Sequence, residues 1–321
     1  MSMDFPAFLS TVITMFAILV VGFVLGKMGV INSTASKNLS KLIIMIGQPA
    51  LIIHSIIGKT YSPANLKLAL TSLAFGLVIH IVMAIIAYFA CIRIKDPDDR
   101  KITEFAMIFG NIGFLGIPVM GALFPENGAF VSTFFIVSFN ILLWIIGIGI
   151  MARKRDDIKL TVKKAFINKG TVPSLIGFII FLIPSVFPSF KVPTFAGDTI
   201  SYIASLCTPI SMLIIGALLS GRTVKQVFGS GKVYYLCLFK LLIIPVFFAV
   251  VLKLIGVSDF WILFITAVSA MPSASATSMF AELYDTAPGY SAQCVGTSTL
   301  LSLATMPLII LLATTITSIG F

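Results

Sequence analysis

Residues 110–118 read GNIGFLGIP, and residues 270–278 read AMPSASATS. Each stretch lies inside an apolar segment long enough to cross a bilayer, and each fills the middle of that segment with Gly, Pro, Asn, Ser and Thr. Closed barrels aside, only a helix lets a chain satisfy its own N–H and C=O groups in hydrocarbon, and Gly and Pro are the poorest helix formers. Both segments are therefore expected to break at their centres. Irregular backbone survives at membrane depth where it is buried in protein or lines a wet cavity, and in carriers that is where substrate sits. The two stretches predict a membrane carrier with its binding site at the interruptions.

The rest of the chain fits that solvent. Its 321 residues are 58% hydrophobic and 11% charged, with a mean hydropathy of +1.09, which excludes a soluble globular domain. A spanning helix needs roughly 20 apolar residues. Ten segments qualify: 6–26, 38–57, 66–92, 103–122, 129–152, 172–190, 199–219, 232–256, 260–282 and 291–317. The first is expected to persist in the mature protein, because its N-terminal flank carries only Asp4 and Lys27 follows it. Cys91, Cys207, Cys237 and Cys294 show no paired spacing and are assigned to packing, with no metal or other cofactor implied.

The net charge of +10 has a topological explanation that needs no nucleic-acid partner. If the first span enters from outside, most of the 22 Lys and Arg residues gather in four cytoplasmic segments, around Lys37, around Arg93 to Lys101, from Arg153 to Lys169, and around Arg222 to Lys232. Lys59, Lys67, Lys191 and Lys253 fall outside. Both termini are then expected outside the cytoplasmic membrane.

Sliding the sequence against itself by 160 residues aligns Pro49 with Pro209, Asn111 with Met271 and Phe130 with Tyr290. Two halves of five spans each, an odd number, must lie in opposite orientations. The expected fold is all-α and polytopic, ten spans in two inverted repeats (1–152 and 172–321) joined by a cytoplasmic linker (153–171). In it, the interrupted fourth and ninth spans cross.

Several polar residues mark the candidate site. Gly110, Asn111, Gly113, Gly116 and Pro118 make the first interruption; Pro272, Ser273, Ser275, Thr277 and Ser278 make the second. Gln48 beside Pro49 and Thr208 beside Pro209 occupy matching places, where each proline frees a carbonyl one turn earlier. Two readings stand for them, helix repair and ligand contact. Asn140 and Gln293 add amides in the fifth and tenth spans. His80 and Lys240 are repeat mates within the membrane, where an ionisable group marks function by default. Against that stand a snorkelling Lys240 near Lys232 and a neutral His80 bridging helices.

The membrane-depth segments contain almost no acid, Glu104 and Glu282 falling near span ends. A cation carrier needs a carboxylate near the crossing. An anion instead suits half-helix N-termini, each worth about half a positive charge. The expected cargo is a small organic anion, a carboxylate, met by Asn111, Ser273 and Ser275. Coupling stays open among Na+ at Ser and Thr oxygens such as Thr277 and Ser278, H+ at His80, and uniport. A channel or ligand sensor on the same architecture is the competing class. An enzyme is not expected, since no HExxH motif is present.

GNIGFLGIP, AMPSASATSMFAELY (270–284) and CVGTSTLLSLATMP (294–307) resemble the auxin efflux carrier family, which includes bacterial permeases for dicarboxylates. The likeness covers the whole chain. It implies a fold related to bile-acid symporters and sodium/proton antiporters, with spans 1, 2, 6 and 7 as scaffold and spans 3–5 and 8–10 as transport core. It also implies a homodimer through the scaffold. The plant carriers have a long hydrophilic loop between the halves, whereas this chain has a short linker, so regulation by phosphorylation there does not transfer.

Overall fold

In the computed structural model, which describes residues 3–153 and 171–319, the protein is built of helices. The first part of the chain forms α1 (Phe5–Lys27), α2 (Ser33–Ile57), α3 (Pro63–Ala90), α4 (Pro97–Ile108), α5 (Ile112–Leu123) and α6 (Gly128–Met151). The second forms α7 (Thr171–Val186), α8 (Thr194–Ser220), α9 (Val224–Phe228), α10 (Gly231–Leu254), α11 (Asp259–Ser269), α12 (Ala276–Leu283) and α13 (Pro288–Ser318). Among the described residues no strand forms, and an isolated antiparallel bridge joins Gly110 to Ser273. Most of the 153–171 linker, including Lys154, Arg155, Lys159, Lys163, Lys164 and Lys169, lies outside the described residues.

Seven of these helices, α1, α2, α3, α6, α8, α10 and α13, are long and apolar enough to cross a membrane. Three shorter apolar ones, α5, α7 and α11, do not reach that length. The difference from ten expected spans has a local cause at the fourth and ninth. Each is cut near its middle, so neither half alone spans about 30 Å of hydrocarbon.

Helix starts follow the local chemistry. Asp4, Ser62 and Asp96 each accept a hydrogen bond from a first-turn N–H of α1, α3 and α4, at 2.9 to 3.1 Å. Gly29 and Gly256 stand at φ +77° and +73° in the turns that follow α1 and α10, where a side chain would be strained. Three wide π-type turns, at 43–47, 112–116 and 239–243, each run directly into a proline, namely Pro49, Pro118 and Pro245. A proline ring clashes with the carbonyl four residues earlier, and a wide turn moves that carbonyl aside. These prolines thus sit in continuous helices.

The outer surface is apolar, with Ile13, Val20, Val21, Leu175 and Ile179 all exposed. That is the surface a bilayer solvates. Polar side chains turn inward instead: Ser132, Thr133, Ser138 and Asn140 of α6, and Thr297, Ser298, Thr299 and Ser302 of α13, are all buried. α1 and α8 pack so closely that a Cβ added at Gly22 would stand 2.6 Å from the Leu213 Cα. The most enclosed stretch is 101–112, where every residue is buried. The first interruption therefore lies at the centre of the protein.

Candidate substrate site at the paired interruptions

α4 ends at Ile108, and the chain then runs extended through Phe109 (φ −96°, ψ 106°) before α5 begins at Ile112. α11 ends at Ser269, and α12 begins only at Ala276. The two gaps pair with each other. The Asn111 N–H donates to the Pro272 carbonyl at 2.8 Å, and the Ala274 N–H donates to the Phe109 carbonyl at 2.9 Å. Backbone groups that no helix satisfies thereby satisfy one another, which the membrane interior demands.

Side chains complete the pairing on one strand only. Ser273 Oγ donates to the Ala106 carbonyl at 3.1 Å, capping one of the last carbonyls of α4, while the Ser273 N–H donates to Ser298 Oγ of α13 at 3.1 Å. On the other strand the Asn111 carbonyl accepts from Leu115 and Gly116 N–H at 3.2 and 3.1 Å, which opens the wide turn. The Asn111 side chain is not used in this. It is 3% exposed, and its Nδ2 has no acceptor among the described residues. Asn140, on α6, a helix that contacts the 112–116 turn, is 7% exposed with its Nδ2 equally without an acceptor among the described residues.

Antiparallel pairing also orders the helix ends. The C-terminus of α4 and the N-terminus of α12 fall on one side of the bridge, the C-terminus of α11 and the N-terminus of α5 on the other. Partial charges of both signs therefore meet at the crossing.

Two ionisable groups flank it. The His80 ring lies 6.0 Å from that of Phe109 and 5.2 and 5.7 Å from Phe135 and Phe139. Its Nδ1 donates to the Gly76 carbonyl at 2.7 Å. Lys240 sits in the 239–243 turn of α10 with none of its surface exposed, and its Nζ stands 3.2 Å from the place a Gly110 Cβ would take. Full burial overturns the snorkelling reading. The stem is directed along the core toward Gly110 and does not reach the surface.

This arrangement decides the class of protein together with one comparison. A family model described as "Membrane transport protein" matches residues 7–310. The chain belongs to the membrane transport protein family. The auxin efflux carrier resemblance carried by the three motifs stands with it. An uncharacterized transporter of Methanocaldococcus jannaschii is 25% identical over 284 residues, covering 86% of this chain and 89% of that one. An uncharacterized transporter of Methanothermobacter thermautotrophicus is 22% identical over 309 residues, covering 95% and 98%. The family and these relatives are transporters, not enzymes.

Within this membrane transport protein, the structure distributes the candidate residues unevenly. Gly110, Asn111, Pro272 and Ser273 form the pairing itself. Gly113 faces Gln48, whose Nε2 lies 2.8 Å from where a Gly113 Cβ would stand. The Gln48 helix is held near Thr208 by the 43–47 turn, Gly47 approaching the Cys207 backbone. Gly113, Gln48, Thr208, Ser275 and Ser278 are partly exposed, while Thr277 is buried with its hydroxyl unpartnered among the described residues. Gly116 and Pro118 do not break the helix. Gly116 closes the wide turn against Met271 Sδ, and Pro118 follows that turn inside α5, where the widened backbone relieves its clash. Gln293 is directed away from the crossing, its Nε2 3.4 Å from the Val227 carbonyl of α9.

One cluster escaped the sequence. Glu104, 2% exposed at its side chain, binds Arg153 in a two-bond fork (2.7 and 3.0 Å) and Arg100 Nε at 2.8 Å, with both guanidiniums over the Tyr88 ring. Its hydrogen bonds hold the Arg153 guanidinium above its ordinary pKa. The Arg100–Glu104 spacing of four residues is a legible helix pair, but nothing in the sequence places Arg153 beside them.

Proposed function

We propose that this protein moves a small organic anion, a carboxylate, across the cytoplasmic membrane by alternating access. The observation that carries the reading is the buried amide donor Asn111 Nδ2, left without an acceptor among the described residues at the paired interruptions, with Asn140 Nδ2 likewise unpartnered on a helix that contacts the 112–116 turn. A buried donor without an acceptor is costly, and a carboxylate oxygen is the acceptor that rewards it most. The N-termini of α5 and α12 add the positive ends of their helix dipoles. Among the described residues the buried acid is Glu104, already held by two arginines, so no carboxylate is offered to a cation at the crossing.

We take the frame to be ten spans in two inverted repeats, the interrupted fourth and ninth crossing, with both termini outside. Support comes from recurrence: each half places two short helices around its gap and then a long one, and Gly128 and Pro288, which open the long ones, are 160 residues apart. A homodimer through the scaffold follows from the resemblance.

The test is counterflow in proteoliposomes against mono- and dicarboxylates, repeated without Na+ and with the pH gradient collapsed. Saturable flux accelerated by preloaded substrate is expected. Unsaturable conductance would mark a channel, and binding without flux a sensor.

A further inference from the structure

The strongest unused feature of the molecule is a buried amine. Lys240 Nζ has no acceptor among the described residues, although it lies against the backbone of Gly110, next to Asn111. The Val268 carbonyl, near the end of α11, lies 3.5 Å from the same Gly110 position, so the amine stands close to the C-terminus of α11. Helix C-termini favour a cation, whereas hydrocarbon burial favours the neutral amine. The site is balanced between the two states.

No neighbouring charge settles it. On α4, Asp98 pairs with Lys101, Asp99 with Lys232, and Glu104 with Arg100 and Arg153. On α10 itself, Tyr235 donates to the Ala90 carbonyl, Tyr234 is exposed, Cys237 is a buried thiol, and Lys253 reaches Thr317 and Asp259. On α13, Tyr290 bonds Thr103 and Cys294 is buried. α3 contributes His80, within electrostatic reach of Lys240. Its Nδ1 must carry the proton, because the Gly76 carbonyl only accepts, and its Nε2 is therefore an unpartnered acceptor.

We infer that Lys240 carries one proton across with each monovalent anion, so that the carrier's core is uncharged both loaded and empty. This rests on the anion reading above. On the open side a proton from water joins the Nζ lone pair, forming an ammonium, as the anion settles at Asn111. The core then moves with the two charges cancelled. On the far side the anion leaves, and the ammonium returns its N–H proton to water. One anion and one proton have crossed, and no net charge has moved. Without that proton, either the loaded or the empty core would have to move with an uncompensated charge in a medium that penalises it.

The experiment uses the full chain in proteoliposomes, with a monocarboxylate found by the counterflow screen, an internal pH dye and a K+/valinomycin voltage clamp. The wild type should move one proton per anion, and its accumulation ratio should change less than about twofold per 100 mV. An electrogenic carrier of one charge would change it about 50-fold. Lys240→Arg, permanently charged, should keep anion exchange but lose net uptake, because only the loaded core is neutral. Lys240→Met should lose coupled proton movement, whereas His80→Gln should retain it. Voltage-driven wild-type flux without protons overturns the inference, as does net uptake by Lys240→Arg or proton movement surviving in Lys240→Met. If Lys240→Arg loses exchange with unchanged elution and melting, Lys240 is not the carrier of the proton; if it fails to fold, the wild-type stoichiometry and voltage response decide. Absence of any carboxylate counterflow in the wild type would instead remove the anion reading itself.

Discussion

The two interruptions solve one backbone problem with different chemistry. The first, at 109–111, is short, and its irregular groups are satisfied almost wholly by backbone: Asn111 pairs through its N–H and carbonyl while its side-chain Nδ2 stays unpartnered. The second, at 270–275, is longer, loses a donor at Pro272, and uses hydroxyls for repair, Ser273 on Ala106 and Ser298 on Ser273. Ser273, expected from the sequence to meet the ligand, is thus employed in holding the crossing together. The difference sets up a division to test, with substrate affinity expected to depend on the first half and integrity on the second.

Substitutions on each side can break that division. Asn111→Ala should have the largest effect on transport, raising the half-saturation concentration in counterflow by roughly 10- to 150-fold, since a hydrogen bond to a charged group is worth about 1.5–3 kcal/mol. Its melting temperature should be unchanged. Ser273→Ala should do the reverse. It strands the Ala106 carbonyl in the core and should cost about 1–3 kcal/mol of stability, lowering the melting temperature while half-saturation moves little. A Ser273→Ala protein that melts normally but binds poorly would reverse the assignment of roles. Pro272→Ala keeps the carbonyl that receives the Asn111 N–H but restores a donor, so turnover should slow by a few-fold with little change in apparent affinity. Gln293→Ala, losing one long bond to Val227, should change either quantity least, within about 0.5 kcal/mol as for substitutions away from special features.

How much of this was legible follows from the physics of each signal. The break positions could be read from Gly110, Asn111 and Pro272, because a bilayer forbids unsatisfied backbone and those residues favour it. Pro118 misled in the same argument. Its clash is relieved by a wide turn at 112–116, and that adjustment depends on what packs around it, Met271 against Gly116 among them. Lys240 was visible as an anomaly but not resolvable, since eight residues from Lys232 its stem has the length either to snorkel or to stay inside. Only the packed core shows that it stays. Gln293 looked equivalent to Asn140 on paper, yet one faces α9 and the other the interior, a matter of helix rotation that an almost uniformly apolar helix does not encode.

By itself the sequence determined the solvent, the helical class, the two weak points and the carrier family, because hydropathy and helix-breaking residues act locally and in hydrocarbon leave few alternatives. Tertiary structure alone decided which polar groups remain unpartnered. That depends on which carbonyls and hydroxyls arrive from helices more than a hundred residues away, as Ala106 does for Ser273 and Gly110 for Lys240, and no local pattern records such meetings.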